Sequence, residues 1–195
     1  MADETQDFVL AGGRAALGTL DRAHAPLFVR WANDPEVRRG LAFRGLVDLT
    51  AEERWLQAMS ETAAQRRPDA LAFAVHDTED GELVGVCSLD AIDHSMGRCE
   101  LGIFLGRRRG SGIGTDATRL ALDWAFHMLN LRNVLLETYD FHEQARRAYE
   151  RAGFREIGRR RDAVSALGRR WDAILMDATA ADFQGSVLAG LLPDV

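Results

Sequence analysis

The chain has 195 residues, 47% hydrophobic and 28% charged, with a formal net charge of −6, the balance of a globular domain long enough for a real core. No apolar run reaches the roughly 20 residues that span a bilayer, and the N-terminus MADETQDF is too acidic and polar for a secretory or transit peptide. Cys87 and Cys99 are too few for a disulfide framework and stand in no metal-ligand spacing, so a cytoplasmic, reduced protein with no membrane partner is expected, and the net charge speaks against a dedicated nucleic-acid binder.

One domain is expected over residues 1–195, with an acidic tail at 1–8 and an apolar C-terminal extension at 178–195. GRAALGTL reads as a short strand ending near Leu20. Asp21 then caps a helix through Leu27, Phe28 and Trp31, and Asp34 with Pro35 starts another. LTAEERWLQAM carries the capping-box pattern Thr50 and Glu53 ahead of an apolar face. ALAFAVHD and ELVGVCSLDAI flank the hairpin signal Asp80-Gly81, and DHSMG turns the chain into RCELGIFLG, giving three consecutive antiparallel strands. After a glycine turn, Ile113, Ala117, Leu120, Ala121, Trp124, Ala125 and Met128 fall on one helical stripe. NVLLETY is a buried strand. HEQARRAYERAG is a helix closed by Gly153, and FREIGRRRD with RRWDAILMDA forms a last hairpin. These elements make an α/β (α+β) domain with a mixed sheet.

Charge is unevenly spread. Every basic side chain is arginine, and residues 107–170 carry 14 of the 24 against 8 of the 30 acids. This basic segment holds the chain's densest glycine cluster, RRRGSGIGTDAT. Three glycines in five residues, opening a helix, are suited to bringing backbone N–H groups against a phosphate, and the helix dipole assists. A P-loop would need a lysine, and there is none. A dinucleotide fingerprint, Gly112 to Ala117 with Glu137 as the ribose acid, is formally present. Three arginines separate it from the strand, however, and antiparallel hairpins flank it on both sides.

The pattern Arg109-Gly110-Ser111-Gly112-Ile113-Gly114, together with ARRAYERAGFREIG about twenty-five residues later, resembles the GNAT superfamily of N-acetyltransferases, and RWANDPEVRR resembles its ribosomal-protein N-terminal acetyltransferase branch. The resemblance implies a mostly antiparallel sheet of about seven strands with a splay between the family's strands 4 and 5. It implies acetyl-CoA as donor, its pantetheine arm paired with Ile103 and Leu105 and its diphosphate on the amides of Arg109, Gly110, Ser111, Gly112, Ile113, Gly114 and Thr115. By the same resemblance Glu100 is the base that deprotonates the amine, and Tyr149 protonates the departing thiolate. His142 stands where the family commonly has asparagine, and imidazole can donate a similar hydrogen bond to the cofactor. No metal is implied.

The acceptor is then a primary amine, a protein or peptide N-terminus or a small molecule, attacked directly in a ternary complex. Trp31, Phe43 and Asp48 are candidate walls for it, and a homodimer through the apolar tail is left open. The alternative is a catalytically inactive acyl-CoA sensor or scaffold, against which the retention of Glu100 and Tyr149 speaks.

Overall fold

The computed structural model describes residues 8–41, 45–166 and 168–191. Its strands are β1 (Leu10–Ala11), β2 (Ala15–Gly18), β3 (Leu71–Asp77), β4 (Leu83–Asp93), β5 (Arg98–Leu105), β6 (Asn133–Tyr139), β7 (Arg155–Ala166) and β8 (Arg169–Thr179). The helices are α1 (Ala25–Ala32), α2 (Pro35–Arg38), α3 (Leu49–Ala63), α4 (Ile113–Asp123) and α5 (Glu143–Ala152). All eight strands join one sheet in the order β1-β2-β3-β4-β5-β6-β8-β7. Pairing is antiparallel except between β5 and β6. The expected seven strands become eight because the two residues of β1 fold back on β2, a pairing too short to leave a periodic signal. The family's strand 4 is β5 here.

Alternation along β4 and β5 divides the core between the two faces. Cys87, Leu89, Cys99 and Leu101 pack with Ile113, Ala117 and Ala121 of α4 on one side. Val86 and Phe104 pack with Phe28, Trp31 and Leu56 of α1 and α3 on the other. Among the described residues, no helix is long and apolar enough to cross a membrane.

Several local expectations hold. Asp34 accepts from Glu36 N at 2.8 Å and caps α2, and Gly153 closes α5 with φ of 114°. Asp21 caps a 3₁₀ turn, Arg22–His24, that leads into α1. Two expectations are corrected. The cap of α3 is Asp48, whose carboxylate accepts from Ala51 N at 2.8 Å, so Thr50 lies inside the helix. α4 also runs into a π turn over Trp124–Met128. The extra residue in that turn rotates the apolar stripe, burying Phe126 and leaving Met128 52% exposed.

The tail packs on its own domain as far as it is described. Asp123, on α4, accepts from Val187 N at 2.6 Å and Leu188 N at 3.1 Å, and Phe183 packs edge-on to Phe126.

Gly106, just past β5, is where close approach matters most. A Cβ there would fall inside the indole of the buried Trp31. Gly106→Ala is expected to destabilise the fold by roughly 2–3 kcal/mol through overpacking, read as a lowered urea midpoint with an unchanged m-value.

Candidate active site

β5 and β6 pair over only three steps, Arg98↔Asn133, Cys99↔Val134 and Glu100↔Leu135. Beyond Glu100 the strands part, because β5 stays with β4 as far as Leu105 while β6 stays with β8 as far as Tyr139. Gly106 N donates to Val84 O at 2.9 Å, so strand alternation turns the peptide groups of Ile103 and Leu105 to the opposite, unpaired edge. That edge is an open ladder for an extended, amide-bearing chain.

The splay ends at the glycine turn. Gly110 and Gly112 have φ of 86° and 92°, a backbone that side chains strain. Gly112 is the N-cap of α4 and supplies no side-chain cap. The one acid of the first turn, Asp116, instead accepts from the amides of Arg14 at 2.6 Å and Ala15 at 2.9 Å. The amides of Ile113, Gly114 and Thr115 therefore start the helix without an intrahelical acceptor. Open amides at a helix N-terminus, continuous with an unpaired strand edge, fit a diphosphate bearing a long amide-containing arm.

A cleft of about 440 Å³ lies over both features. Ile103, Leu105, Arg109, Gly110, Gly112, Gly114, Thr115, His142 and Tyr149 all border it. Ser111 and Ile113, also expected at the cofactor, do not border it. The Ser111 hydroxyl donates to Arg108 O at 2.6 Å, and Ile113 is 2% exposed in the core. Only one of the three consecutive arginines turns toward the cleft. Arg107 pairs with Glu82, and Arg108 with Asp77 at 2.6 Å and with Asp80, so both brace the β3–β4 turn. Arg109 pairs with Glu36 of α2 at 2.8 Å. That exposed pair is worth little and yields readily to a stronger anion.

Tyr149, on α5, borders the cleft and packs against the core. Burial, with the Cys87 thiol beside it, pushes its phenol up to about 12. His142 begins α5 with its ring against Phe141, at 4.3 Å between centroids, and against Gly40. Burial, helped by Arg39, lowers its pKa, so it is a neutral imidazole at neutral pH.

Glu100 lies at the last paired step before the splay. It is exposed, on the sheet face opposite α4, directly across from Asp90 of β4. Ser88 Oγ donates to Asp90 Oδ2 at 2.6 Å over Gly102 on that same face. Glu137, on the other arm of the splay, borders the cleft and pairs with Arg160 at 3.0 Å.

The proposed acceptor walls fare differently. Trp31 is 3% exposed inside the α1–α3 core, and Asp48 is spent as a cap. Phe43 lies outside the described residues. Sequence reading missed Phe141, which borders the cleft and packs on Trp171 of β8 at 4.9 Å. Its place one residue before His142 was the available signal.

Both cysteines are buried, and burial, with Asp90 nearby, pushes the thiols up, Cys99 to about 12. Unfolded thiols ionise near their ordinary value of 9.0, whereas the folded chain keeps these protons as pH rises. The folded state thus binds more protons in that window and loses stability through it. Unfolding free energy measured by urea titration is expected to fall above pH 9 by about 1.4 kcal/mol per pH unit for each thiol, and Cys99→Ala should remove one share of that slope.

Comparison with known proteins agrees with this geometry. Residues 14–155 match the family model described as an acetyltransferase (GNAT) domain. The uncharacterised N-acetyltransferase p20 of Bacillus licheniformis is 23% identical over 173 residues, covering 88% of this chain and 96% of that protein. The structure of spermidine N-acetyltransferase from Vibrio cholerae in complex with CoA and spermine superposes with a TM-score of 0.78 at 20% identity, covering 87% of this chain and 97% of that one. That of RimL, a ribosomal L7/L12 alpha-N-protein acetyltransferase in complex with coenzyme A, gives 0.78 at 15% identity, covering 89% and 98%. A splayed β5–β6 pair, a glycine turn opening α4 and a family match across both place this chain in the GNAT family of acetyl-CoA-dependent N-acetyltransferases.

Proposed function

We propose that the protein acetylates a primary amine by direct attack on acetyl-CoA in a ternary complex, with a protein or peptide N-terminus as the first acceptor to test. The observation that carries the cofactor geometry is the set of uncapped amides at the start of α4, continuous with the unpaired edge of β5. Acetyl-CoA supplies an activated acetyl group and a thiolate leaving group. The turn amides hold its diphosphate, Ile103 and Leu105 hold its arm, and His142 donates one further hydrogen bond.

Glu100 attracts the acceptor ammonium and takes its proton, through water, since its carboxylate is exposed at the root of the splay. Asp90 opposite adds negative charge on the same face, which favours a cation there. Tyr149, protonated throughout the neutral range, donates to the leaving sulfur. Transfer through an acyl-cysteine is disfavoured, because Cys87 and Cys99 are buried and their pKa values raised, leaving almost no thiolate.

The test is thiol release from acetyl-CoA with N-terminal peptides, spermidine and other small amines as acceptors. Turnover with peptides supports the full reading, and turnover confined to small amines overturns the acceptor assignment. Cofactor-dependent thermal stabilisation without turnover on any amine overturns the catalytic reading in favour of a sensor. Glu100→Gln is expected to lower kcat/KM about 10- to 100-fold and to move the pH optimum upward, since the amine must then arrive already deprotonated.

A further inference from the structure

Residues 155–171 carry six arginines against two acids, in a chain whose net charge is −6. They lie on the β7–β8 hairpin, at the edge of the sheet farthest from β1. β6 accompanies β8 as far as Tyr139↔Ala173, and from there to Ala166↔Arg169 the hairpin runs on as a ribbon of two strands. Such a ribbon gains little stability by itself in water, so its base is tied down. Trp171 Nε1 donates to Ala166 O at 2.9 Å, and Asp162 N donates to Asp172 Oδ1 at 3.0 Å. The Trp171 ring packs on Phe141, which borders the cofactor cleft.

The arginines divide into two sets. Arg155, Arg159 and Arg160 pair with Asp182 at 3.4 Å, Asp172 at 3.4 Å and Glu137 at 3.0 Å, which spends their charge at the base of the hairpin. Arg161, Arg169 and Arg170, toward its tip, are exposed and hold no ion pair among the described residues. Strand alternation then fixes a direction. Glu100 shares its sheet face with Leu135, Glu137 and Tyr139 of β6, with Ala173 and Trp171 of β8, and with Arg169. One face therefore leads from the carboxylate at the root of the splay to an unpaired guanidinium on the ribbon. The path runs from Leu135 to Tyr139 and from Ala173 to Arg169, about 26 Å at the rise of a strand.

Building on the reading of a protein or peptide N-terminus as acceptor, we propose that the β7–β8 ribbon docks an acidic stretch of that polypeptide, about eight extended residues behind the amine held at Glu100. The acceptor is then dipolar, with its terminal ammonium over Glu100 and Asp90 and its carboxylates on Arg161, Arg169 and Arg170. Guanidinium forks suit carboxylates, which they bind through two parallel hydrogen bonds. An acidic peptide fits better than a nucleic acid. Three unpaired arginines neutralise few phosphates, and a longer polyanion meets the net negative charge of the rest of the chain. A second copy of this chain fits poorly at the same edge, since antiparallel pairing of β7 with itself sets arginines against arginines.

Acetylation kinetics test this with two peptides that share their first four residues and continue either with Asp and Glu or with Gln and Ser. Wild type should show a KM about tenfold lower for the acidic peptide, the combined worth of three exposed ion pairs, with kcat within about twofold. Raising the salt from about 50 to 500 mM should erase the difference. The triple variant Arg161→Gln, Arg169→Gln, Arg170→Gln should treat both peptides as wild type treats the neutral one, which also shows that its fold and catalytic site are intact. Equal wild-type KM for the two peptides, or a variant that weakens both alike, would overturn the docking assignment and leave acetylation of N-termini in place. An RNA oligonucleotide that binds through these arginines while the two peptides stay indistinguishable would overturn it in favour of nucleic acid. Turnover confined to small amines, or none at all, would remove the peptide-acceptor reading together with it.

Discussion

Tyr149→Phe is expected to lower kcat about 10²- to 10³-fold while leaving the affinity for CoA within a few-fold of wild type, the range for loss of a positioned general acid. The ring keeps its packing, 6.1 Å between centroids from Phe154, so only the hydroxyl is lost. With a pKa raised to about 12, the phenol is a donor at every working pH. Reference values make phenol and thiol nearly matched, and the burial that raises the phenol also disfavours a bare thiolate beside it, so the hydroxyl serves the leaving sulfur as a proton donor. Steady-state thiol release gives kcat and a separate titration gives affinity. A kcat within threefold of wild type would remove Tyr149 from the chemistry.

Gly112→Val should weaken CoA binding at least about 100-fold. At φ of 92° a β-branched residue is strained, and its Cβ would lie 3.2 Å from Arg14 Cδ. The turn relieves this by rotating, and rotation points its amides away from the diphosphate. The cost of one misaligned charge-assisted donor is about 1.5–3 kcal/mol, and the turn supplies several. A folded variant, judged by its urea transition, that binds CoA within threefold of wild type would show that these amides do not hold the phosphates.

Much of the framework was legible because it depends on local chemistry. Asp80-Gly81 forces the β3–β4 hairpin, the glycines of the turn mark the start of α4, and Gly153 stops α5. What escaped reading depends on contacts distant in sequence. Nothing in RRR says that its first two members reach back 25 to 31 residues to Glu82 and Asp77. Trp31 looked like a wall because aromatics often line clefts, whereas packing against Gly106 buries it. Asp48 and Thr50 are both good caps two residues apart, and the helix began at the earlier one.

The most direct test of the account is a crystal structure of the protein grown with coenzyme A. The diphosphate should lie on the amides between Arg109 and Thr115, the pantetheine arm along Ile103 and Leu105, and the sulfur beside the Tyr149 hydroxyl. Coenzyme density away from the β5–β6 splay, or a glycine turn bonded to protein acceptors instead of phosphate, would contradict it.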